Sequence, residues 1–144
     1  MNKILPFFLF VFFGVSEAHE DHSSRHGGFV MMFLDLHLEL VIPEEGGVEI
    51  FYSDEMRRDM PASVVSEVAV ALHRPDGSQE PLEMNVSEQG DRWAGLCGPI
   101  SDPKTIVRVE FFWQGQPVTL EVPASVMPRF AGESEMKNMG VSAD

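Results

Sequence analysis

At 144 residues with a formal net charge of −13, the chain is long enough for one domain with a sizeable core. It is too acidic to hold nucleic acid or an anionic membrane, both of which need clustered Lys and Arg. The acidity suits a cation-binding protein as well as ordinary solubility, and the single cysteine, Cys97, excludes an internal disulfide, so that thiol is a small hydrophobe, a ligand or a link to another chain.

The chain opens with Lys3, an apolar run "ILPFFLFVFFGV" over 4–15, and the small residues Ser16 and Ala18. This pattern predicts a signal peptide over 1–18, cleaved after Ala18. The run is shorter than the ~20 residues that span a bilayer. The expected location is therefore the periplasm, with no membrane attachment after cleavage. The next stretch, "HEDHSSRHGG" over 19–28, has no periodicity and reads as a flexible histidine-containing segment. His19, His22 and His26 lie there beside Glu20 and Asp21, a compositional sign of metal binding. With cleavage after Ala18, the free amine and imidazole of His19 would form a chelating pair for copper. A solvated leader is the alternative.

From Phe29 the pattern changes. Leu36, Leu38 and Leu40 alternate with Asp35, His37 and Glu39, the period of a half-buried strand. "PEEGG" over 43–47 is a turn and "VEIFY" over 48–52 the next strand, so 29–52 reads as one hairpin. A long loop follows over 53–63. Further strands are predicted over 67–75, 80–86, 91–96, 105–113 and 117–123, with turns at "PDGS", "SDPK" and "QGQ". About seven short strands at this spacing predict an all-β, Ig-like antiparallel sandwich over 29–124. The polar, Met-dotted stretch 125–144 reads as a mobile tail.

The acid–imidazole–acid alternation is the first candidate site. Same-face strand neighbours lie roughly 7 Å apart, so an imidazole and one carboxylate can share an ion. Asp35 and Glu39 are roughly 13 Å apart and would strain to join the same shell. The expected set is His37 with Asp35 or Glu39, completed by His26. Imidazole suits copper, zinc and nickel. The alternative is a face that simply meets water. Met31, Met32, Met56, Met60, Met127, Met136 and Met139 offer soft thioethers for cuprous copper, although Met is also a core filler. If 29–33 is a strand, one of Met31 and Met32 must face inward. His73 reads as a lone edge histidine. Hydrolase, zinc-protease and phosphate-loop motifs are absent from the sequence, so the expectation is a binding protein and not an enzyme.

"HGG" at 26–28, "DLHLELV" at 35–41 and "GGVEIFYSDE" at 46–55 together resemble small exported proteins of Gram-negative bacteria found with heavy-metal efflux systems. The arrangement is similar to a module of periplasmic adaptor subunits of metal-exporting pumps, and more loosely to YtkA-like β-sandwich domains. The resemblance implies periplasmic metal handling, with His26, His37 and Glu39 as ligands and an efflux-pump adaptor subunit as partner. Residues 54–61, "DEMRRDMP", depart from the D-x-x-G-x-P stretch usual in that group. The expected function is to buffer copper, zinc or nickel, or deliver it to an efflux system. The competing class is an exported sandwich that pairs an edge strand with a protein partner.

Overall fold

A computed structural model describes residues 22–132. The expected signal peptide and His19 lie outside the described residues, as does the tail beyond 132. Among the described residues no helix is long and apolar enough to cross a membrane.

The fold is an all-β antiparallel sandwich. Its strands are β1 (Phe29–Phe33), β2 (Leu36–Val41), β3 (Val48–Ser53), β4 (Asp59–Met60), β5 (Ser66–His73), β6 (Gln79–Leu82), β7 (Met84–Val86), β8 (Arg92–Gly95), β9 (Ile106–Trp113) and β10 (Gln116–Pro123). One sheet runs β1-β2-β3-β8-β7, with β4 also paired to β3; the other runs β10-β9-β5-β6. Among the described residues ten strands stand where about seven were expected: the short β4 falls within the expected loop over 53–63, and two expected strands each divide. Residues 29–41 fold back on themselves at Leu34–Asp35, where Leu34 takes φ +55. No Gly, Asn or Pro marks that turn, so the stretch reads as a single strand. Residues 79–86 likewise divide at Glu83, where the chain leaves one sheet (β6) for the other (β7).

The core lies between the sheets. Leu36, Leu38 and Leu40 of β2 and Val48, Ile50 and Tyr52 of β3 face Val70 and Leu72 of β5 and Val107, Val109 and Phe111 of β9. Each large aliphatic side chain buried here contributes roughly 1.5–3 kcal/mol. The alternation of β5 and β9 gives this face directly. Phe112 is the exception in "EFFW": it points outward, between buried Phe111 and Trp113. The tail expected to move from 125 onward instead packs at its start, because Met127 and Phe130 are buried in the core.

β2 carries two of the candidate residues, His37 and Glu39. Its inner face is the leucine row, as the sequence predicts. Its outer face, with His37 and Glu39, is buried too. It does not meet water because residues 22–28 lie across it. The flexible segment expected over 19–28 is therefore, from 22 onward, a strap held on the sheet.

Candidate functional site

The strap is fastened by one carboxylate. Glu39, 5 % exposed, sits in β2 between Val30 of β1 and Phe51 of β3. Its Oε1 accepts hydrogen bonds from Ser24 Oγ at 2.7 Å, from the His26 amide at 2.8 Å and from the Gly28 amide at 3.0 Å. Its Oε2 accepts from the Arg25 amide at 3.2 Å and pairs with His26 Nδ1 at 2.9 Å. Backbone amides converging on an anion in this way form a nest. Burial alone would raise the carboxyl's pKa, but the bonds from Ser24, His26 and Gly28 outweigh it and hold it at about 2. Glu39 is thus ionised and fully engaged.

Gly28 shows how closely the strap approaches. A Cβ there would fall 2.2 Å from the Leu40 carbonyl oxygen, so only glycine brings this backbone near enough for its amide to reach Glu39. The strap has further fastenings. The His26 ring stacks flat on Phe51, with centroids 3.7 Å apart. Arg25 pairs with Asp59 at 3.1 Å. Arg57, buried and at φ +60, donates from Nη2 to the Ser23 carbonyl at 2.9 Å and from Nε to Ser53 Oγ at 3.3 Å.

His37 lies one strand-repeat from Glu39, between Met32 of β1 and Ser53 of β3. It is 3 % exposed. Its Nδ1 lies 3.1 Å from the Asp54 carbonyl oxygen. A carbonyl can only accept, so Nδ1 carries the hydrogen and Nε2 holds a lone pair. That Nε2 is buried and has no hydrogen-bond partner. The ring of His22, at the start of the strap, stands beside it with centroids 5.6 Å apart and planes tilted by 45°.

Asp54 builds the other wall. Its carboxylate accepts from the amides of Met56 and Arg58, both at 2.9 Å, and from Arg58 Nε at 2.7 Å. The Arg58 amide first, and then its guanidinium, hold that carboxyl below the ordinary range. The loop closed in this way presents its first carbonyl to His37. Its role in fixing a histidine tautomer carries no sequence signature.

The expected ligand set is therefore redistributed. His22 and His37 are together. Glu39 is on the expected face, but its oxygens are given to the strap, and His26 is turned onto Glu39 and Phe51. Asp35 is not on the strand face at all. It lies in the β1–β2 turn, exposed, where it accepts a bond from Trp113 Nε1 at 3.2 Å. The two-residue turn at 34–35 breaks the alternation that linked it to His37. Among the described residues no three of His, Cys, Asp and Glu come together as a metal-holding group. Of the methionines, Met31 and Met60 pack against the core and Met127 is within it, while Met32 and Met56 are exposed. Met136 and Met139 lie outside the described residues. Cys97 is half-buried against the core, its Sγ accepting from the Gly47 amide at 3.2 Å. Ser24, Gly28 and Arg57 were not anticipated. Only the glycine pair of "HGG" hinted at a close backbone approach.

No family model matches the chain, and no curated protein matches it. Among solved structures it is similar to the crystal structure of a DUF4426 family protein from Pseudomonas aeruginosa PAO1. The identity is 17 %, the TM-score 0.46, and the match covers 65 % of this chain and 94 % of the other.

Proposed function

We propose that this chain is an exported metal-ion-binding protein of the periplasm, which takes a copper, zinc or nickel ion at His22 and His37 and buffers it or delivers it to an efflux system. It binds and releases; it makes and breaks no covalent bonds. The observation that carries this reading is the buried lone pair of His37 Nε2, left without a hydrogen bond beside a second imidazole. An orphaned buried acceptor costs about 1–3 kcal/mol, and a cation would satisfy it. A histidine whose other nitrogen donates to a backbone carbonyl is also the usual arrangement of a metal ligand. The spacing supports the same reading. With metal–nitrogen bonds of ~2.0–2.1 Å, two imidazoles on one tetrahedral ion have ring centres about 5 Å apart. The observed separation is 5.6 Å. His19, three residues before His22, remains the sequence's candidate for a further donor.

Glu39 acts in this reading as the clasp of the strap, not as a ligand. Calorimetric titration with Zn²⁺, Cu²⁺ and Ni²⁺ tests the assignment. His37→Ala and His22→Ala should each weaken binding by tenfold or more, and His26→Ala by much less. Micromolar binding that survives both of the first two changes would remove the site.

A second reading, pairing of an edge strand with a protein partner, is favoured by β1. This edge strand, "FVMMF", has no proline and no charge, and Met32 and the neighbouring Leu34 are exposed. β6 and β10, the edges of the other sheet, both carry proline and glutamate. If no metal binds and the protein instead captures an extended peptide, this reading takes over.

A further inference from the structure

We propose that the thioether of Met32 completes the His22–His37 pair and makes the site selective for a cuprous ion. The inference rests on the metal-binding reading above and gives it a chemical identity.

The β1–β2 register sets Met32 directly opposite His37. Side chains of directly opposed residues in an antiparallel pair stand on the same face, with Cβ atoms roughly 4.5–5.5 Å apart. The leucines of β2 face the core, so His37 faces outward, and Met32 with it. Its neighbour Met31, opposite Leu38, faces inward and packs against the core. The alternation therefore sorts the two methionines: Met31 fills the interior, and Met32 is delivered to the face that carries the orphaned imidazole nitrogen. Met32 is 43 % exposed, and its long unbranched side chain is free to swing toward His37.

The donor set then has a distinct chemical character. Two imidazoles and one thioether are all neutral, and one is soft. Soft sulfur ligands favour Cu(I), whereas zinc accepts imidazole, carboxylate and thiolate. The carboxylate next to His37 on the outer face of β2, Glu39, is engaged by five hydrogen bonds with the strap. A site that draws on two imidazoles and a thioether, with Glu39 so engaged, is poorly suited to hard divalent ions. The net charge of −13 still draws cations toward the molecule, but at the site itself softness decides among them.

Met32→Leu tests this, because it keeps the volume of an exposed side chain and removes only the sulfur. The purified protein is titrated anaerobically with Cu(I) against a chromophoric cuprous chelator, and separately with Zn²⁺ against a zinc indicator. Met32→Leu is expected to lower cuprous affinity by about tenfold or more and to leave zinc affinity within twofold. X-ray absorption at the copper edge should show a sulfur neighbour in the wild type and none in the variant. Unchanged cuprous affinity in Met32→Leu, or an equal loss of both metals, overturns the assignment of Met32 while the two-histidine site stands. If His37→Ala leaves both metals bound as before, it is the metal site itself that fails, and the role of Met32 with it.

Discussion

Two buried polar side chains in this protein lie at opposite energetic extremes. Glu39 is saturated with donors; the Tyr52 hydroxyl, deep in the core against Phe111, has no partner, and burial pushes its pKa well above the usual phenol range. Replacing Tyr52 by Phe keeps the ring and removes the orphan oxygen, so stability should stay the same or rise by up to about 1 kcal/mol. Urea denaturation decides it: a loss of 1 kcal/mol or more would show that the hydroxyl has a partner after all. Glu39 predicts the opposite. Its carboxyl ordinarily titrates near 4.5 and is held at about 2 in the fold. A depressed folded-state pKa gives stability that is complete above the unfolded value and lost as pH falls toward the folded one. Glu39→Gln should therefore cost roughly 2 kcal/mol at neutral pH, and the gap between variant and wild type should narrow between pH 4.5 and 2. A gap that persists unchanged at pH 2 would mean that the carboxylate's charge contributes nothing. The alternation His37–Glu39 was legible as a possible site, because period 2 places both on one face. What sequence could not reveal is that the donors converge on the acid, leaving the imidazole unsatisfied. That depends on where the strap lies, which no local pattern encodes.

The hairpins show why some elements were legible and others were not. Gln114 and Gly115, joining β9 to β10, both take positive φ, and a glycine in a polar triplet announced that turn. The β1–β2 turn does the same work with Leu34 at φ +55, and so went unread. A non-glycine residue in the left-handed region costs about 1–2 kcal/mol. Leu34 is 63 % exposed and gives little burial in return. Leu34→Gly should relieve that strain, less the extra entropy that glycine loses on folding, for a net gain of about 0.5 kcal/mol. In a domain of this size that amounts to a rise of about 2 °C in Tm. A fall in Tm would mean that the leucine's contacts outweigh the backbone strain. The leucine row of β2 and the valines of β5 and β9 were legible because a buried face imposes a period on the sequence. The division of 79–86 between two sheets was not, because crossing from sheet to sheet at Glu83 leaves the apolar spacing almost unchanged.

On the scale of the whole molecule, charge sets the balance. The chain carries 23 acidic and 10 basic side chains, and its pI is about 4.6. Local ion pairs, such as Arg58–Asp54, Arg74–Glu80 and Arg108–Glu110, are mostly exposed and each contributes about 0–1 kcal/mol. Against them stands the mutual repulsion of the excess carboxylates, which compaction brings closer together. Salt weakens both, but the repulsion is the sum of many pairs over distances that a Debye length of about 8 Å at 0.15 M cuts off. The repulsion should therefore lose more. Raising NaCl from 0.01 M to about 0.2 M at pH 7 should increase Tm by a few degrees. The same addition near pH 4.6, where the net charge vanishes, should change it little or lower it slightly, because only the ion pairs remain to be screened. The clasp does not confuse this comparison, since Glu39 with its pKa of about 2 stays ionised at both pH values. If salt lowers Tm at pH 7, the local pairs outweigh the net repulsion, and the acidity would then be distributed so as to stabilise the fold.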